Sequence, residues 1–217
     1  MTRTLVLLRH GRTAWNAEGR AQGHTDVPLD AIGRAQAAAV APVIAALRPS
    51  FVWSSDLARA AETAEVIAAA RGLAVVRDPS LREYDMGERS GLTIPEFAAA
   101  FPSEHARWVA DGGPGQSADA VPGAESTAAV LARMLPALRG AMAAVAPGET
   151  GVVVGHGAAL RVALVALLGW DRSAALTLRA LDNCAWAVVD DSAIDRAPRL
   201  TAYNRVAPDF TSAGAVG

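Results

Sequence analysis

Short apolar runs that stop abruptly at small or charged residues recur three times along this 217-residue chain. The runs cover residues 5–8, 51–53 and 151–154, and longer alanine-rich segments separate them. Apolar runs without polar alternation are typical of strands that are buried on both faces, as in a parallel sheet. The pattern predicts an α/β fold, a three-layer sandwich in which helices cover both faces of a mostly parallel central sheet.

Local signals place the intervening elements. Asp30 is a predicted N-cap, because its carboxylate can accept hydrogen bonds from free amide groups, and the helix it begins continues to about Leu47. A second helix is expected from after Asp56 to about residue 70, and residues 73–76 predict a fourth strand. We expect a single domain over residues 1–217, with a small helical cap inserted at about 93–125 that includes a Gly- and Pro-rich surface loop at 112–123.

Composition and charge exclude several classes of protein. The net charge of −2 offers no basic excess, so nucleic acid is not an expected partner. No apolar stretch is long enough for a bilayer span, and no membrane partner is expected. The one cysteine, Cys184, cannot form an internal disulfide and is expected to be buried among apolar neighbours, so cytoplasmic residence is the default prediction.

Polar, mostly basic side chains follow the predicted strands. Arg9 and His10 follow the first strand, and His156 follows the third. Arg59 lies just beyond the second and Glu83 beyond the fourth. Because the carboxyl ends of parallel strands meet at one edge of a sheet, we expect these groups to share a rim. The planar fork of arginine matches two phosphate oxygens, so the predicted site suits a phosphate ester.

Phosphoryl transfer gives each of these residues a possible role. A neutral imidazole at His10 can act as the nucleophile and form a phosphohistidine that water later opens. Arg9, Arg59 and His156 could hold the phosphate oxygens, and Glu83 could protonate the leaving alcohol if burial raises its proton affinity. Gly11, beside His10, allows close backbone packing. The sequence therefore predicts an enzyme that works through a phosphorylated histidine.

At these positions the chain resembles the histidine phosphatase superfamily, also called the phosphoglycerate mutase-like family. Four segments match in the family's order, and together they span roughly residues 4 to 205. The matching segments are residues 8–16, residues 54–60 with 62–64, residues 81–83 with Gly87, Gly91 and Leu92, and residues 154–157 with Arg161. An isolated Arg-His-Gly would be a weak signal, whereas four ordered segments are specific.

The resemblance implies the same roles and adds binding residues. His10 would be the phosphorylated nucleophile and Glu83 the proton donor. The implied phosphate-binding set consists of Arg9, Asn16, Gln22, Gly23, Arg59, His156 and Gly157. The family uses neither a metal nor another cofactor, and two arginines beside the histidines would also oppose a bound cation.

Hydrolysis is the expected reaction, and the expected substrate is a small phosphorylated metabolite. The chain is compact and has residues 85–91 where mutases of the family carry a different pattern. Within the family it is most similar to bacterial glucosyl-3-phosphoglycerate phosphatases, while broad-specificity and ribazole phosphatases share much of the pattern. Arg89-Ser90 and Ala124 depart from the family, and both lie near the expected substrate side. In the cap, His105, Arg107 and Trp108 are candidates for sugar or carboxylate contacts.

Other functions and arrangements stay open at this point. A phosphoglycerate mutase, a non-catalytic phosphate-binding module and a metal-dependent hydrolase are the alternatives. His24 and His105 are expected to be ordinary surface residues. The apolar strand at 185–189 could pair across a sheet edge, which would give a homodimer.

Overall fold

Six strands form a single mixed sheet in the computed structural model, which describes residues 1–110, 121–191 and 195–208. In spatial order they are β3 (Val75–Arg77), β2 (Pro49–Ser54), β4 (Thr150–Gly155), β1 (Thr4–Arg9), β5 (Trp186–Asp191) and β6 (Pro198–Arg205). The first four of these run parallel, whereas β5 is antiparallel to both β1 and β6. The predicted α/β class with a mostly parallel sheet is confirmed.

Helices cover both faces of the sheet. One face packs against α2 (Ala31–Ala46) and α3 (Ala58–Ala69), and the other against α6 (Thr127–Ala144) and α7 (Gly157–Leu167). Asp30 caps α2 as predicted, since its Oδ1 accepts a hydrogen bond of 2.7 Å from the Gly33 amide. The shorter helices are α1 (Ala14–Ala17), α4 (Ile94–Ala100), α5 (Pro102–Ala110) and α8 (Ala174–Thr177), with 3-10 turns at Pro79–Leu81 and Gly87–Arg89.

The central strand β1 shows why the fold has three layers. Leu5 and Leu7 pack into the cluster beneath α6 and α7, while Val6 and Leu8 pack into the cluster beneath α2 and α3. All four side chains are almost completely buried. Burying each contributes about 1.5–3 kcal/mol. A strand that is apolar on both faces is stable only between two layers of helices, so its end, where Arg9 and His10 lie, is fixed firmly.

The cap has a small core of its own, built from Phe97, Trp108 and Val121. Trp108, which the sequence offers as a substrate contact, is instead 3% exposed and packs inside this core. The Arg89 guanidinium lies over the rings of Phe97 and Trp108, 4.9 and 4.4 Å from their centroids, and burial lowers its pKa. The family departure at Arg89 is therefore part of the cap's packing. Most of the predicted loop at 112–123 lies outside the described residues.

The prediction that strand 185–189 pairs across a sheet edge is wrong. This segment forms most of β5, which lies between β1 and β6 and is hydrogen-bonded on both sides. The edges of the described sheet are β3 and β6. A homodimer stays a prediction, but it cannot form through β5. Among the described residues, no helix combines the length and the apolar character needed to cross a bilayer.

Candidate active site

His10 directly follows the last residue of β1 and is 3% exposed. Its main-chain amide donates to the Gly155 carbonyl at the end of β4, with a distance of 3.0 Å. Its ring Nδ1 lies 2.7 Å from the Gly11 carbonyl oxygen. A carbonyl oxygen can only accept, so Nδ1 must carry the hydrogen. The lone pair of the neutral ring is then on Nε2, which is the atom a phosphorus electrophile would meet.

The surroundings keep the His10 ring neutral. Burial lowers its pKa well below the usual 6.5, and the positive charges of Arg59 and Arg9 lower it further. The hydrogen bond to Gly11 opposes this shift without cancelling it. An unprotonated imidazole is the nucleophilic form, so the site keeps the His10 ring in the form that a nucleophile requires.

His156 lies beside His10, at the junction of β4 and α7. The two ring centroids are 5.2 Å apart, and the ring planes are inclined by 58°. Both ring nitrogens of His156 are buried without a hydrogen-bond partner in the described part of the chain. Burial, followed by the charge of Arg59, lowers its pKa well below 6.5. Buried polar atoms without partners are rare in folded proteins, and here they mark a place that a polar ligand can fill.

Two guanidinium groups complete the basic side of the site. Arg59, in the first turn of α3, donates to the carbonyls of Thr25 and Gly23 at 2.9 and 2.7 Å. Arg9 donates to the carbonyl of Leu181 at 2.6 Å. Burial lowers both pKa values, that of Arg59 to about 10. Arginine guanidinium groups keep their charge in proteins at neutral pH. The Nε atoms of both arginines are buried and have no hydrogen-bond partner within the described ranges. Their N–H groups are therefore available to donate to an anion.

Glu83 supplies the acidic group. It follows the 3-10 turn at Pro79–Leu81, and its carboxylate accepts hydrogen bonds from the amides of Ala158 at 3.1 Å and Ala159 at 2.8 Å. Those amides belong to the first turn of α7, whose N-cap is His156. Among the charged neighbours of Arg9 and Arg59, Glu83 has the largest effect in raising their pKa values against burial. The five predicted catalytic residues therefore lie together, while the proton-donor role of Glu83 stays a prediction.

Hydrogen bonds link two of the predicted binding residues, Asn16 and Gly23, to the surroundings of His10 and Arg59. Asn183 bridges Asn16 to His10, because its Nδ2 donates to the Asn16 Oδ1 at 3.3 Å and to the His10 carbonyl at 3.1 Å. Gln22 is 8% exposed, and its buried Oε1 has no partner within the described ranges. Gly23 has a φ of +52°, a conformation that favours glycine. Its carbonyl holds Arg59, as described above.

Gly157 makes room for Arg9. A Cβ at this position would lie 3.3 Å from the Arg9 Nε, which is tighter than usual packing. A larger residue at the start of α7 would therefore push against the Arg9 guanidinium. The structure gives Gly157 a spatial role, and its predicted contact with phosphate is not tested.

Three further residues hold the site together, and none of them was predicted to do so from the sequence. Thr63 accepts a hydrogen bond from the Gly11 amide and donates one to the Arg59 carbonyl, at 3.1 and 2.8 Å. His24 donates from Nε2 to the Glu83 carbonyl at 2.8 Å, so its assignment as an ordinary surface residue was wrong. Arg133, in α6, also donates to that carbonyl at 2.8 Å. Thr63 falls within a matched motif, whereas nothing local to His24 or Arg133 indicates its partner.

Comparison with known proteins now decides the family. The model of the histidine phosphatase superfamily (branch 1) matches residues 5–204. The chain belongs to this superfamily.

Within the described residues, no group of three or more His, Cys, Asp or Glu side chains is placed to hold a metal ion.

Similar sequences in this superfamily carry a mutase name. A probable phosphoglycerate mutase GpmB from Yersinia enterocolitica is 38% identical over 186 residues, covering 86% of this chain and 84% of the relative. The corresponding protein from Cronobacter sakazakii is 39% identical over 189 residues, with the same coverage.

Similar solved structures carry phosphatase or hydrolase names. A mycobacterial glucosyl-3-phosphoglycerate phosphatase, solved with VO3, is 32% identical with a TM-score of 0.83, covering 93% of this chain and 99% of that one. A structure called mycobacterial hydrolase 1 is also 32% identical, with a TM-score of 0.85 and coverage of 95% and 100%. Together, the comparisons place this chain among the phosphatases and mutases of the superfamily.

Proposed function

We propose that this protein is a phosphomonoester hydrolase that removes phosphate from a small metabolite through a phosphohistidine at His10. The observation that carries the proposal is the hydrogen bond from His10 Nδ1 to the Gly11 carbonyl at 2.7 Å. It leaves Nε2 unprotonated in a buried pocket, beside His156 and within the field of Arg9 and Arg59. A nucleophile, a set of anion-binding donors and a carboxyl group are the parts that phosphoryl transfer to histidine requires.

The first chemical step forms the phosphohistidine. His10 Nε2 attacks phosphorus, and a P–N bond forms as the P–O bond to the leaving alcohol breaks. Glu83 enters this step protonated and gives its proton to the leaving oxygen. Arg9, Arg59 and His156 stabilise the charge that spreads over the three remaining phosphate oxygens.

The second step reverses the roles. Water attacks phosphorus on the side that the alcohol has left, the P–N bond breaks, and its electron pair returns to Nε2. The Glu83 carboxylate takes a proton from the attacking water and is thereby protonated for the next cycle. Inorganic phosphate then leaves, and the enzyme returns to its starting state.

The proposed reaction needs neither a metal ion nor another cofactor. Two buried guanidinium groups supply the positive charge that a divalent cation provides in many other phosphoryl-transfer enzymes. Arg9 and Arg59 both keep their charge at neutral pH. Their fields would also repel a cation placed beside His10.

Glucosyl-3-phosphoglycerate is the first substrate to try. Support comes from the mycobacterial phosphatase of that name, which matches over 93% of this chain at 32% identity. In the cap, Arg107 is exposed and His105 is half-buried against Phe97, with the two rings 5.5 Å apart. Of the cap candidates, Arg107 is the most exposed, and its Nη2 lies 3.5 Å from the Glu104 Oε1.

A mutase is the second candidate, because the GpmB relatives are 38% and 39% identical over most of the chain. Both reactions begin with the same phosphohistidine and differ in whether water or a second hydroxyl accepts the phosphoryl group. Incubation with 3-phosphoglycerate distinguishes them. Hydrolysis releases inorganic phosphate, whereas a mutase interconverts the phosphoglycerates with little net release.

The chemistry is tested with p-nitrophenyl phosphate in the presence of EDTA. We expect wild-type turnover to survive chelation and the His10→Ala variant to lose at least about a thousandfold in kcat, because the nucleophile is gone. Alkaline quenching followed by mass spectrometry should find the phosphoryl group on the peptide that contains His10. Equal, measurable rates for wild type and variant would exclude phosphohistidine catalysis, and no product release by either would favour a non-catalytic phosphate-binding module. Loss of turnover with EDTA would favour a metal-dependent hydrolase.

A further inference from the structure

The main chain around Glu83 is held by one side chain from a distant helix. Arg133 lies in α6 and donates from Nη1 to the carbonyls of Ser80 and Arg82, at 2.9 and 2.7 Å. Its Nη2 donates to the carbonyl of Glu83 at 2.8 Å. A single planar group thus fixes three carbonyls of the segment that carries the carboxyl group. Because the guanidinium is rigid, the three carbonyls are held in fixed positions relative to one another.

The same guanidinium is itself held by an acidic partner. Arg133 pairs with both oxygens of Glu125, with Nε to Oε1 at 2.8 Å and Nη2 to Oε2 at 2.7 Å. Burial alone would raise the pKa of Glu125, but the hydrogen bonds and charge of Arg133 outweigh it and leave that pKa lowered. The Glu125 amide donates to the carbonyl of Asp85, two residues beyond Glu83, at 2.9 Å, and its Oε2 accepts from the Asp85 amide at 3.2 Å. The donors of Arg133 are therefore engaged by the protein, which leaves it unsuited to bind substrate.

Glu83 is consequently fixed from both ends. Its carbonyl accepts from Arg133 and from His24, each at 2.8 Å, and its carboxylate accepts from the α7 amides of Ala158 and Ala159. The next residue, Tyr84, is 1% exposed and sits in the main core. Glu83 is therefore held through its main-chain carbonyl and through its carboxylate, and these contacts determine where the proton-donating oxygen points.

We propose that Arg133 is a positioning residue for the proton donor, holding Glu83 where it can reach the leaving oxygen. This inference rests on the proposed role of Glu83 in catalysis. A displacement of about 1 Å in a catalytic group can cost about a hundredfold in rate. Removing the Arg133 guanidinium should therefore impair proton donation. His10, Arg9 and Arg59, which Arg133 does not contact, should stay in place.

Leaving groups of different basicity provide the test. p-Nitrophenolate departs with little need of a proton, whereas the phenolate of phenyl phosphate needs one. We expect Arg133→Gln to lower kcat/KM for phenyl phosphate by about ten- to a hundredfold and that for p-nitrophenyl phosphate by no more than about threefold. The ratio kcat/KM is the quantity to compare, because it reports the phosphorylation step alone and is unaffected by slow dephosphorylation.

The matched control is Arg139→Gln, which changes an exposed arginine on the same helix and should leave both rates unchanged. Equal losses on the two esters in Arg133→Gln, with thermal unfolding unchanged, would overturn the inference. If that variant does not fold, Arg133→Lys replaces it, since lysine keeps the charge but lacks the planar fork, and the same ratio decides. Failure of the proposed function is separately visible, because wild type would then hydrolyse neither ester.

Discussion

At the scale of single residues, the placement of His10 depends on a contact between two glycines. A Cβ added to Gly11 would lie 2.5 Å from the carbonyl oxygen of Gly33, in the first turn of α2. That oxygen belongs to the backbone and cannot rotate away. The close approach brings the main chain after His10 against α2. The Gly11 carbonyl, which fixes the His10 tautomer, belongs to this stretch of main chain.

We expect Gly11→Ala to destabilise the protein by about 1–3 kcal/mol, because the clash forces a backbone shift. Activity should fall as well, since the shift moves the Gly11 carbonyl away from His10 Nδ1. Urea unfolding measures the first effect. The control is Gly140→Ala in α6, where an added Cβ meets nothing within 4 Å and should stabilise by about 0.5–1 kcal/mol. A Gly11→Ala protein as stable as wild type would show that the backbone can yield.

Sequence reasoning grouped the candidate catalytic residues and missed the residues that support them. His10, Arg9 and His156 lie where two strands end, so position along the chain was enough to group them. Arg133 lies inside α6, about fifty residues from the carbonyls it binds. Its partners around Glu83 are main-chain atoms, which leave no mark in side-chain patterns. Only the folded backbone reveals such a contact.

At the scale of secondary structure, the strands were predictable from the sequence, but the strand that pairs with the outer edge of β5 was not. Residues 185–189 have the apolar character of a strand, which β5 confirms. Apolar character does not say which strands lie alongside, because pairing depends on contacts distant in sequence. Here β6, from Pro198–Arg205, covers the outer side of β5. The dimer interface that the sequence suggested is therefore occupied by the chain itself.

The cap is expected to unfold separately from the central sheet. Phe97 is completely buried in a cluster with Trp108 and Val121, and it lies outside the two clusters that fill the main core. We expect Phe97→Ala, a change that typically costs about 3–5 kcal/mol, to open α4 and α5 locally and leave the sheet folded. Hydrogen exchange should then speed up across residues 94–110 and stay slow in β1 and β4.

The control for this experiment is Ile94→Ala, since Ile94 is in the same helix and 42% of its surface is exposed. That change should leave exchange in the cap nearly as in wild type. If Phe97→Ala also accelerated exchange in β1, the cap and the sheet would form one cooperative unit.

At the scale of the whole molecule, the buried site couples folding stability to pH. His10 and His156 both have pKa values well below 6.5, with burial as the main cause, so both stay neutral when folded. In the unfolded chain each takes up a proton as the pH falls through about 6.5. Because the unfolded state then binds more protons than the folded state, the free energy of unfolding falls as the pH drops below that value.

At pH 5.5 the expected loss is about 1.4 kcal/mol for each histidine relative to neutral pH. Carboxylates also titrate at low pH, so the contribution of His10 is isolated by comparing urea unfolding of wild type with that of His10→Gln at pH 7.5 and 5.5. Wild type should lose more stability across this interval than the variant, by roughly the amount for one histidine. Identical losses would mean that His10 takes up a proton in the folded protein much as it does in the unfolded chain, so the buried site would not hold its imidazole neutral at pH 5.5. The same measurement thus tests the electrostatic basis of the proposed catalysis without any substrate.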